Sequence, residues 1–385
     1  MNLFVLLPTY QRPDSLFYSI KSVLNQKINL PSIQKILYIL NNDENSQTEV
    51  DNAVELAVKE VKEHQFDQVI VEHLSSASIV QLSIFRMMST IKNNTVEGDV
   101  AIIHGDDDIM LRGSLRDRYS RIIKDNNCVS ISKYFNGLSF IRGYDGVDLT
   151  PISIDENKTS QNELFRKSDL INYGLPFISS YTYKINEKFW EIYEQALSWA
   201  SETPIKHDAK YLFLPFYIGL SAFKNNQLSS ANVFELIRGR VLLSRKYLPP
   251  ILITQPDSPA LVNLTGLAVL KNSDLINIHE LDDLRSIFSE NISSLFWSIV
   301  LTISKISLSD IYRLLKICGY SVILNSFILK NIYKNIKILL EIIFNLSNTG
   351  IWIRGFGNKI SSTSFWSLWE NGLRSDKLNQ NLTKT

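Results

Sequence analysis

Cysteine is nearly absent from this chain, since Cys128 and Cys318 are the only two among 385 residues. Two cysteines so far apart argue against a disulfide scaffold and against a cysteine-rich metal site, and they fit a reducing cytoplasm. An excess of charge of one sign is lacking too, because 40 lysines and arginines face 39 acids and leave a net charge of +1. Such balance gives no overall attraction to nucleic acid, and we predict no nucleic-acid partner.

Long hydrophobic runs are also missing. The longest uncharged run in the second half lies between Glu290 and Lys305, which is shorter than the roughly 20 residues of a membrane-spanning helix. The opening residues, MNLFVLLP, lack a basic leader and a small-residue cleavage site, so they predict a first β-strand rather than a signal sequence. We expect a cytoplasmic protein, either free or at the inner face of the membrane.

The first half of the chain alternates between two kinds of segment. Apolar runs typical of buried strands fall at 3–7, 36–40, 68–71 and 100–103. Helical periodicity falls between them at 14–25, 47–64 and 76–92. This alternation predicts an α/β fold with a mostly parallel sheet and right-handed crossovers.

Polar segments follow three of these strands. They read PTYQRPD at 8–14, NNDENS at 41–46 and GDDD at 105–108. Ligands of parallel sheets bind beyond the carboxyl ends of the strands, where the three segments should meet. An aromatic ring, a guanidinium, amides and carboxylates at that edge suit a nucleoside diphosphate.

The three consecutive aspartates at 106–108 need an explanation, because neighbouring like charges repel. Carboxylates two residues apart beyond a strand can both reach one Mg²⁺ or Mn²⁺, which takes oxygen ligands and leaves places open for phosphate. Asp106 and Asp108 are the predicted ligands, and His104 is a candidate supporting residue beside them. The alternative is a solvated acidic turn.

Two further segments carry candidate chemistry. Pro13 presets the first turn of a helix whose N-terminus favours phosphate near Arg12, although an ordinary strand-turn-helix with a surface arginine explains the same pattern. At 205–220 a histidine-aspartate pair opens an apolar helix. Asp208 there could cap the helix amides or extend its carboxylate into a cleft.

The pattern becomes mostly helical after Pro249 and Pro250. We predict two domains, an α/β domain at 1–250 and a helical region at 251–385. Aromatic and basic residues mix near the end of the helical region, including Trp352, Trp366 and Trp369. Core packing, a homo-oligomer surface and peripheral contact with a membrane are the alternatives for them.

Residues 3–26 followed by IIHGDDDI resemble the start and the metal-binding DXD element of the inverting family 2 glycosyltransferases, whose nucleotide domain has the GT-A, Rossmann-like fold. The resemblance covers about the first 230 residues. It implies a bacterial enzyme of surface-polysaccharide synthesis that moves a sugar from a nucleotide-diphosphate donor, UDP being favoured, to a hydroxyl of a glycan or lipid-linked acceptor. Mn²⁺ or Mg²⁺ would assist.

The resemblance also implies residue roles. Nucleotide-sugar binding would fall to residues at the ends of the first, second and fourth strands, namely Pro8, Thr9, Tyr10, Arg12, Asn41, Asp106 and Asp107. Asp106 with Asp108 would hold the metal, and Asp208 would be the general base. The chain departs from the family in having Asn41 and Asn42 where an aspartate usually meets the base, and Gly105 where the acidic element usually begins.

Two other functions compete with this one. A sugar nucleotidyltransferase could also use strand-end carboxylates and a metal, but it normally needs a glycine-rich loop after the first strand, and PTYQR contains no glycine. A catalytically idle glycan-binding or assembly protein could have kept the fold while two motif positions drifted. Hydrolysis of a nucleotide sugar in the presence of Mn²⁺ would separate that protein from an enzyme.

Overall fold

The computed structural model of the chain describes residues 1–10, 12–74, 80–141, 178–204, 208–211 and 214–242, together with residues 269, 309, 312, 313 and 316. The predicted helical region at 251–385 lies almost wholly outside these residues, as do the three tryptophans at its end. The boundary at residue 250 therefore stays a prediction. Within the described part, no helix is long and apolar enough to cross a membrane.

The chain divides into two compact units. The first comprises Met1–Tyr193, Ile218–Leu243 and Ile353–Thr385, and the second comprises Glu194–Tyr217 and Ser244–Trp352. Every described strand belongs to the first unit. The candidate strand-end residues therefore belong to one unit, whereas Asp208 belongs to the other.

One mixed sheet of eight strands organises the first unit, in the order β3-β2-β1-β4-β7-β6-β8-β5. The bounds are β1 Asn2–Thr9, β2 Gln34–Asn41, β3 Gln68–His73, β4 Val100–Ile103, β5 Ile109–Met110, β6 Val129–Ile141, β7 Tyr181–Lys184 and β8 Leu228–Leu242. The first four strands are mutually parallel. The α/β class and the parallel first half of the sheet are confirmed.

The described α-helices lie between and after these strands. They are α1 Pro13–Leu24, α2 Gln47–Glu60, α3 Val80–Asn94, α4 Ser114–Lys124, α5 Glu187–Glu202 and α6 Leu214–Lys224. Apolar residues at helical spacing on α1, such as Leu16, Ile20 and Val23, pack with residues of α2 and α4 against the β1 side chains Leu3 and Val5. Burying this shared face is what holds the three helices on the sheet.

The second half of the sheet departs from the simple alternation. β7 runs antiparallel to both β4 and β6, β8 is parallel to β6, and the two-residue β5 is antiparallel to β8. The sequence pattern predicted neither α4 nor β8. The buried residues Leu115, Tyr119 and Ile122 of α4 do recur at helical spacing, and Arg118 is fully buried as well.

Candidate functional site

The carboxyl ends of the parallel strands bring the predicted residues to one edge of the sheet. Thr9 at the end of β1 pairs in register with Asn41 at the end of β2, which pairs with His73 at the end of β3. Pro8 lies on β1 beyond Leu6, the last residue that pairs with β4, so its missing N–H leaves no gap in that ladder. The acidic triplet follows β4 on the opposite side of β1.

Asp106 is the centre of this edge. Its Oδ2 accepts hydrogen bonds from the Thr9 hydroxyl at 2.9 Å and from the Tyr10 N–H at 3.3 Å. Its Oδ1 lies 3.4 Å from Nη1 of Arg12, which also contacts Oδ2 of Asp107 at 3.0 Å. The loop after β1 and the loop after β4, 94 to 97 residues apart in sequence, are thus joined through one carboxylate.

Burial and charge set the protonation of this cluster. Burial raises the pKa of Asp106 to about 6, and the negative charge of Asp107 adds to that effect, whereas Arg12 and the bond from Thr9 oppose it. Asp106 in turn raises the pKa of the Arg12 guanidinium, with smaller contributions from Asp107 and Asp108. Arg12 therefore interacts electrostatically with all three aspartates of the cluster.

Asp107 and Asp108 point to different surroundings. Asp107 is partly exposed and pairs with Arg12. Asp108 is buried, and its Oδ2 accepts a hydrogen bond from the Ser179 hydroxyl, which itself accepts the Gly105 N–H at 2.5 Å. A Cβ on residue 105 would lie 2.5 Å from that Asp108 oxygen. A side chain at residue 105 would therefore have to displace the Asp108 carboxylate.

Buried polar side chains on α1 and just beyond its end hold the segment after β4 in place. The Ser19 hydroxyl donates to the Gly105 carbonyl at 2.8 Å, and the Ser22 hydroxyl accepts the Met110 N–H at 3.0 Å. Two residues after α1, Oε1 of Gln26 accepts the N–H groups of Gly113 at 3.0 Å and Leu115 at 3.4 Å. Contacts of Ser19 and Ser22 to the segment after β4 explain why the buried face of α1 is not apolar throughout.

The loop after β2 is internally bonded. Asn41 and Asn42 are almost completely buried, as is Asp43. Nη1 of Arg86, on α3, donates to the Asn41 carbonyl at 2.7 Å and to Oδ1 of Asn42 at 3.2 Å. The other terminal nitrogen of Arg86 bonds the carbonyl and the carboxylate of Glu72 on β3. Arg86 thus ties the ends of β2 and β3 together.

His104 and Arg118 form the buried support behind the acidic turn. Both side chains are fully buried. Burial lowers the pKa of His104 to about 3, and the positive charge of Arg118 adds to this, so the imidazole is neutral. Arg118 donates from Nε to the Thr182 hydroxyl at 2.9 Å and from Nη2 to the Tyr181 carbonyl at 2.7 Å, which fastens α4 to β7.

Asp208 opens a short 3₁₀ helix, Asp208–Tyr211, in the second unit. The α-helix itself begins at Leu214, because Pro215 in its first turn has a fixed φ and no N–H to contribute. The expectation that the histidine-aspartate pair directly opens the α-helix was therefore wrong. Residue 207 and the side chain of Asp208 lie outside the described residues.

A divalent cation fits the donor set at the edge. The available groups are carboxylate oxygens, which are the ligands that Mg²⁺ and Mn²⁺ prefer. Among the described residues no three His, Cys, Asp or Glu side chains form a ready-made metal cluster. A metal held there by two aspartates would therefore take its other ligands from a bound phosphate and from water.

Comparison with known proteins gives likenesses of low identity. No protein-family model and no curated protein matches the chain. The crystal structure of S. aureus TarS 1-349 has a TM-score of 0.43 at 13% identity, covering 84% of this chain and 82% of that chain. The same TarS fragment in complex with UDP-GlcNAc has a TM-score of 0.42 at 14% identity, covering 84% and 83%. The mannosyltransferase PcManGT from Pyrobaculum calidifontis, in complex with GDP-Man and Mn²⁺, has a TM-score of 0.42 at 9% identity, covering 90% and 85%.

Three residues that contact or support the candidate site were not predicted from the sequence. Ser179 carries no local signal, because it reaches the acidic turn from 71 residues away. Arg118 looks like one of several arginines on a charged helix. Arg86 was the most accessible to inference, since it is the only charged residue in the stretch from Leu74 to Ile91.

Proposed function

We propose that the chain is an inverting glycosyltransferase that moves a sugar from a nucleotide-diphosphate donor to a hydroxyl of a glycan or lipid-linked acceptor. The observation that carries the proposal is the junction of Thr9, Tyr10 and Arg12 with Asp106 at the carboxyl edge of a parallel sheet. Such an edge is where α/β sheets bind nucleotides. The junction offers a guanidinium for phosphate and carboxylates for a cation.

Arg12 is the proposed phosphate ligand. Its side chain is 44% exposed although it contacts two carboxylates, so it is accessible to a bound diphosphate. A guanidinium binds phosphate oxygens through paired, charge-assisted hydrogen bonds. During transfer it would stabilise the charge that develops on the departing diphosphate.

Asp106 is the proposed first metal ligand. Asp108 was the predicted second ligand, but its carboxylate is buried against Ser179, and the partly exposed Asp107 is better placed to meet a cation from solvent. We therefore assign Asp106 and Asp107 to metal binding and Asp108 to holding the turn. Mg²⁺ or Mn²⁺ bound there would neutralise charge on the diphosphate.

Asn41 is proposed to shape the nucleotide pocket from within. Its carboxamide bonds to Asp43, His73 and Ser46, and its side chain is buried. We infer that the nucleotide base contacts the loop that Asn41 organises. Pro8 on the neighbouring strand β1 and Tyr10 just after that strand would lie beside the base. A UDP-sugar is the favoured donor.

Asp208 is the proposed general base. An acceptor hydroxyl has a high pKa and must lose its proton as it attacks the anomeric carbon, and a carboxylate can accept that proton. Attack opposite to the diphosphate inverts the configuration in one displacement, so the reaction needs no covalent nucleophile.

Nucleotide binding tests the proposal directly. Titration calorimetry with UDP-, GDP-, CMP- and dTDP-sugars, each with Mn²⁺ and with a chelator, should reveal one donor class that binds more tightly with Mn²⁺. Arg12→Gln should weaken that binding by about 10-fold or more, because a charged hydrogen bond to phosphate is lost.

Arg116→Gln is the matched control. Arg116 is an exposed arginine that also pairs with an aspartate, Asp117, but on the outer face of α4. It should leave nucleotide affinity unchanged. Absence of binding by every donor in the folded wild-type protein, or equal affinities of the two variants, would overturn the proposal. Donor binding without hydrolysis or transfer would indicate the idle, glycan-binding alternative.

A further inference from the structure

The orientation of the Asn41 carboxamide is determined by the backbone of Asp43. Oδ1 of Asn41 accepts the Asp43 N–H at 3.0 Å, and Nδ2 donates to the Asp43 carbonyl at 2.8 Å. Exchanging the two amide atoms would place a donor against a donor and an acceptor against an acceptor. The amide nitrogen of Asn41 therefore has one orientation, and its second hydrogen points away from Asp43.

That second hydrogen meets the imidazole of His73. Nδ2 of Asn41 lies 3.0 Å from Nδ1 of His73, and Nε2 of His73 lies 3.0 Å from Oδ1 of Asp51 on α2. Because an amide nitrogen only donates, Nδ1 of His73 must be the acceptor and carry no proton. The hydrogen of the neutral ring is then on Nε2, where it is donated to the Asp51 carboxylate.

This arrangement connects His73 to the nucleotide edge. His73, Asn41 and Thr9 lie opposite one another on β3, β2 and β1. Thr9 bonds Asp106, and its carbonyl accepts the Asn42 N–H at 2.9 Å. A change at Nδ1 of His73 therefore acts on the amide that holds the 41–43 loop, two strands away from the acidic cluster.

We propose that His73, as its neutral Nε2–H tautomer, is a positioning residue that holds the Asn41 carboxamide and with it the 41–43 loop for nucleotide binding. Removal of the Nδ1 acceptor takes this hydrogen-bond partner from the Asn41 amide nitrogen. Nucleotide affinity then falls. The proposal rests on the proposed nucleotide-sugar function and assigns a residue that the strand-end motifs do not contain.

The charged groups around His73 act on it from each neighbouring element. Asp51 on α2 contacts Nε2 directly. Glu72, its neighbour on β3, is paired with Arg86 of α3 and bonded by the Tyr38 hydroxyl. The loop after β2 contributes Asp43, whose carboxylate is bonded to Asn45. Asn41 donates to Nδ1 and Asp51 accepts from Nε2, so these two neighbours of His73 favour the same tautomer of the neutral ring.

Two variants separate the roles of the ring. His73→Gln keeps an acceptor for Asn41 and a donor for Asp51, whereas His73→Ala has neither group. UDP with Mn²⁺ is the probe, titrated at about pH 8. We expect His73→Ala to weaken UDP binding by about 3- to 10-fold, with His73→Gln near wild type.

Rescue by His73→Gln decides the proposal. Equal losses of UDP affinity in His73→Gln and His73→Ala, or wild-type affinity in both, would overturn it. So would a long-range ¹H–¹⁵N correlation spectrum, assigned with His73→Gln, that places the ring proton on Nδ1 at about pH 8.

A ligand-free readout keeps this test independent of the proposed function. The Asp43 amide should exchange slowly with solvent in the wild type and in His73→Gln, and faster in His73→Ala. If UDP fails to bind while this order and the Nε2–H tautomer are observed, the proposed donor is wrong and the positioning role of His73 stands. If UDP binds and the exchange rates are equal, the positioning role is wrong.

Discussion

The Asp106 carboxylate connects the residues of the candidate site, but its burial disfavours its charged form. It is 6% exposed, yet it accepts hydrogen bonds from Thr9 and Tyr10 and pairs with Arg12. Those contacts only partly offset the loss of solvent around a charged carboxylate, which is why its pKa is raised from 3.8 to about 6. A bound cation would therefore stabilise the charged form of this buried carboxylate more than that of an exposed carboxylate.

Asp106→Asn should make this cost visible as a dependence of stability on pH. The folded-state pKa of Asp106 is raised, so its contribution to stability is fully present below 3.8 and is lost as pH rises through about 6. Asparagine does not titrate. Unfolding in urea at a series of pH values, without metal, should show the stability of the wild type decreasing relative to Asp106→Asn across that window.

His104 does not confound this comparison. Its pKa is lowered to about 3 by burial, so its contribution is lost as pH falls from 6.5, the opposite direction. It is present in both proteins and cancels in their difference. A difference between the two proteins that stays constant from acid to neutral pH would contradict the raised pKa of Asp106.

At the scale of elements, hydrogen bonds from α1 and from the residues just after it hold the segment that follows β4. Ser19 and Ser22 on α1, and Gln26 two residues beyond its end, bond Gly105, Met110 and Gly113 in turn. α4 begins after Gly113, which has a φ of 86° and no side chain that could cap the helix. Gln26 supplies that cap from another segment, since its Oε1 accepts the N–H of Gly113 and that of Leu115 in the first turn of α4.

Gln26→Leu should lower the free energy of unfolding by about 1–3 kcal/mol, the cost of leaving buried amides without acceptors. Hydrogen exchange at Gly113 and Leu115 should accelerate more than exchange elsewhere in α4. Gln34→Leu, at an exposed position at the start of β2, is the control and should change stability little. Equal effects of the two substitutions would mean that Gln26 does not cap α4.

At the scale of the whole molecule, the proposal assigns donor binding and proton transfer to different residues. Thr9, Arg12 and Asp106 belong to the first unit, and Asp208 belongs to the second. Binding and chemistry should therefore be separable by mutation.

Asp208→Asn should reduce sugar transfer by roughly 10²- to 10⁴-fold, the contribution of a general base, because an amide cannot accept the proton of the acceptor. Nucleotide affinity and melting temperature should remain near the wild-type values. The three measurements belong on one preparation. Near-normal transfer would remove Asp208 from the mechanism and direct the search to other carboxylates such as Glu202.

Local pattern was sufficient for a definite part of this protein. The apolar runs of β1 to β4 and the periodicity of α1 to α3 predicted the parallel half of the sheet, because both signals come from residues adjacent in sequence. The polar ends of those strands predicted which side chains would meet. Thr9, Arg12 and Asp106 do meet, since parallel strands place their carboxyl ends at a common edge.

The tertiary structure determined the contacts between segments that are distant in sequence. β7 joins the sheet antiparallel to β4, which brings Ser179 onto Asp108. Arg86 of α3 crosses to the ends of β2 and β3. No periodicity records such contacts, because a hydrogen bond between segments dozens of residues apart leaves no regular spacing in either of them. The sequence by itself therefore determined which chemical groups reach the edge of the sheet, and only the fold determined which carboxylate is buried, which is exposed and which tautomer His73 adopts.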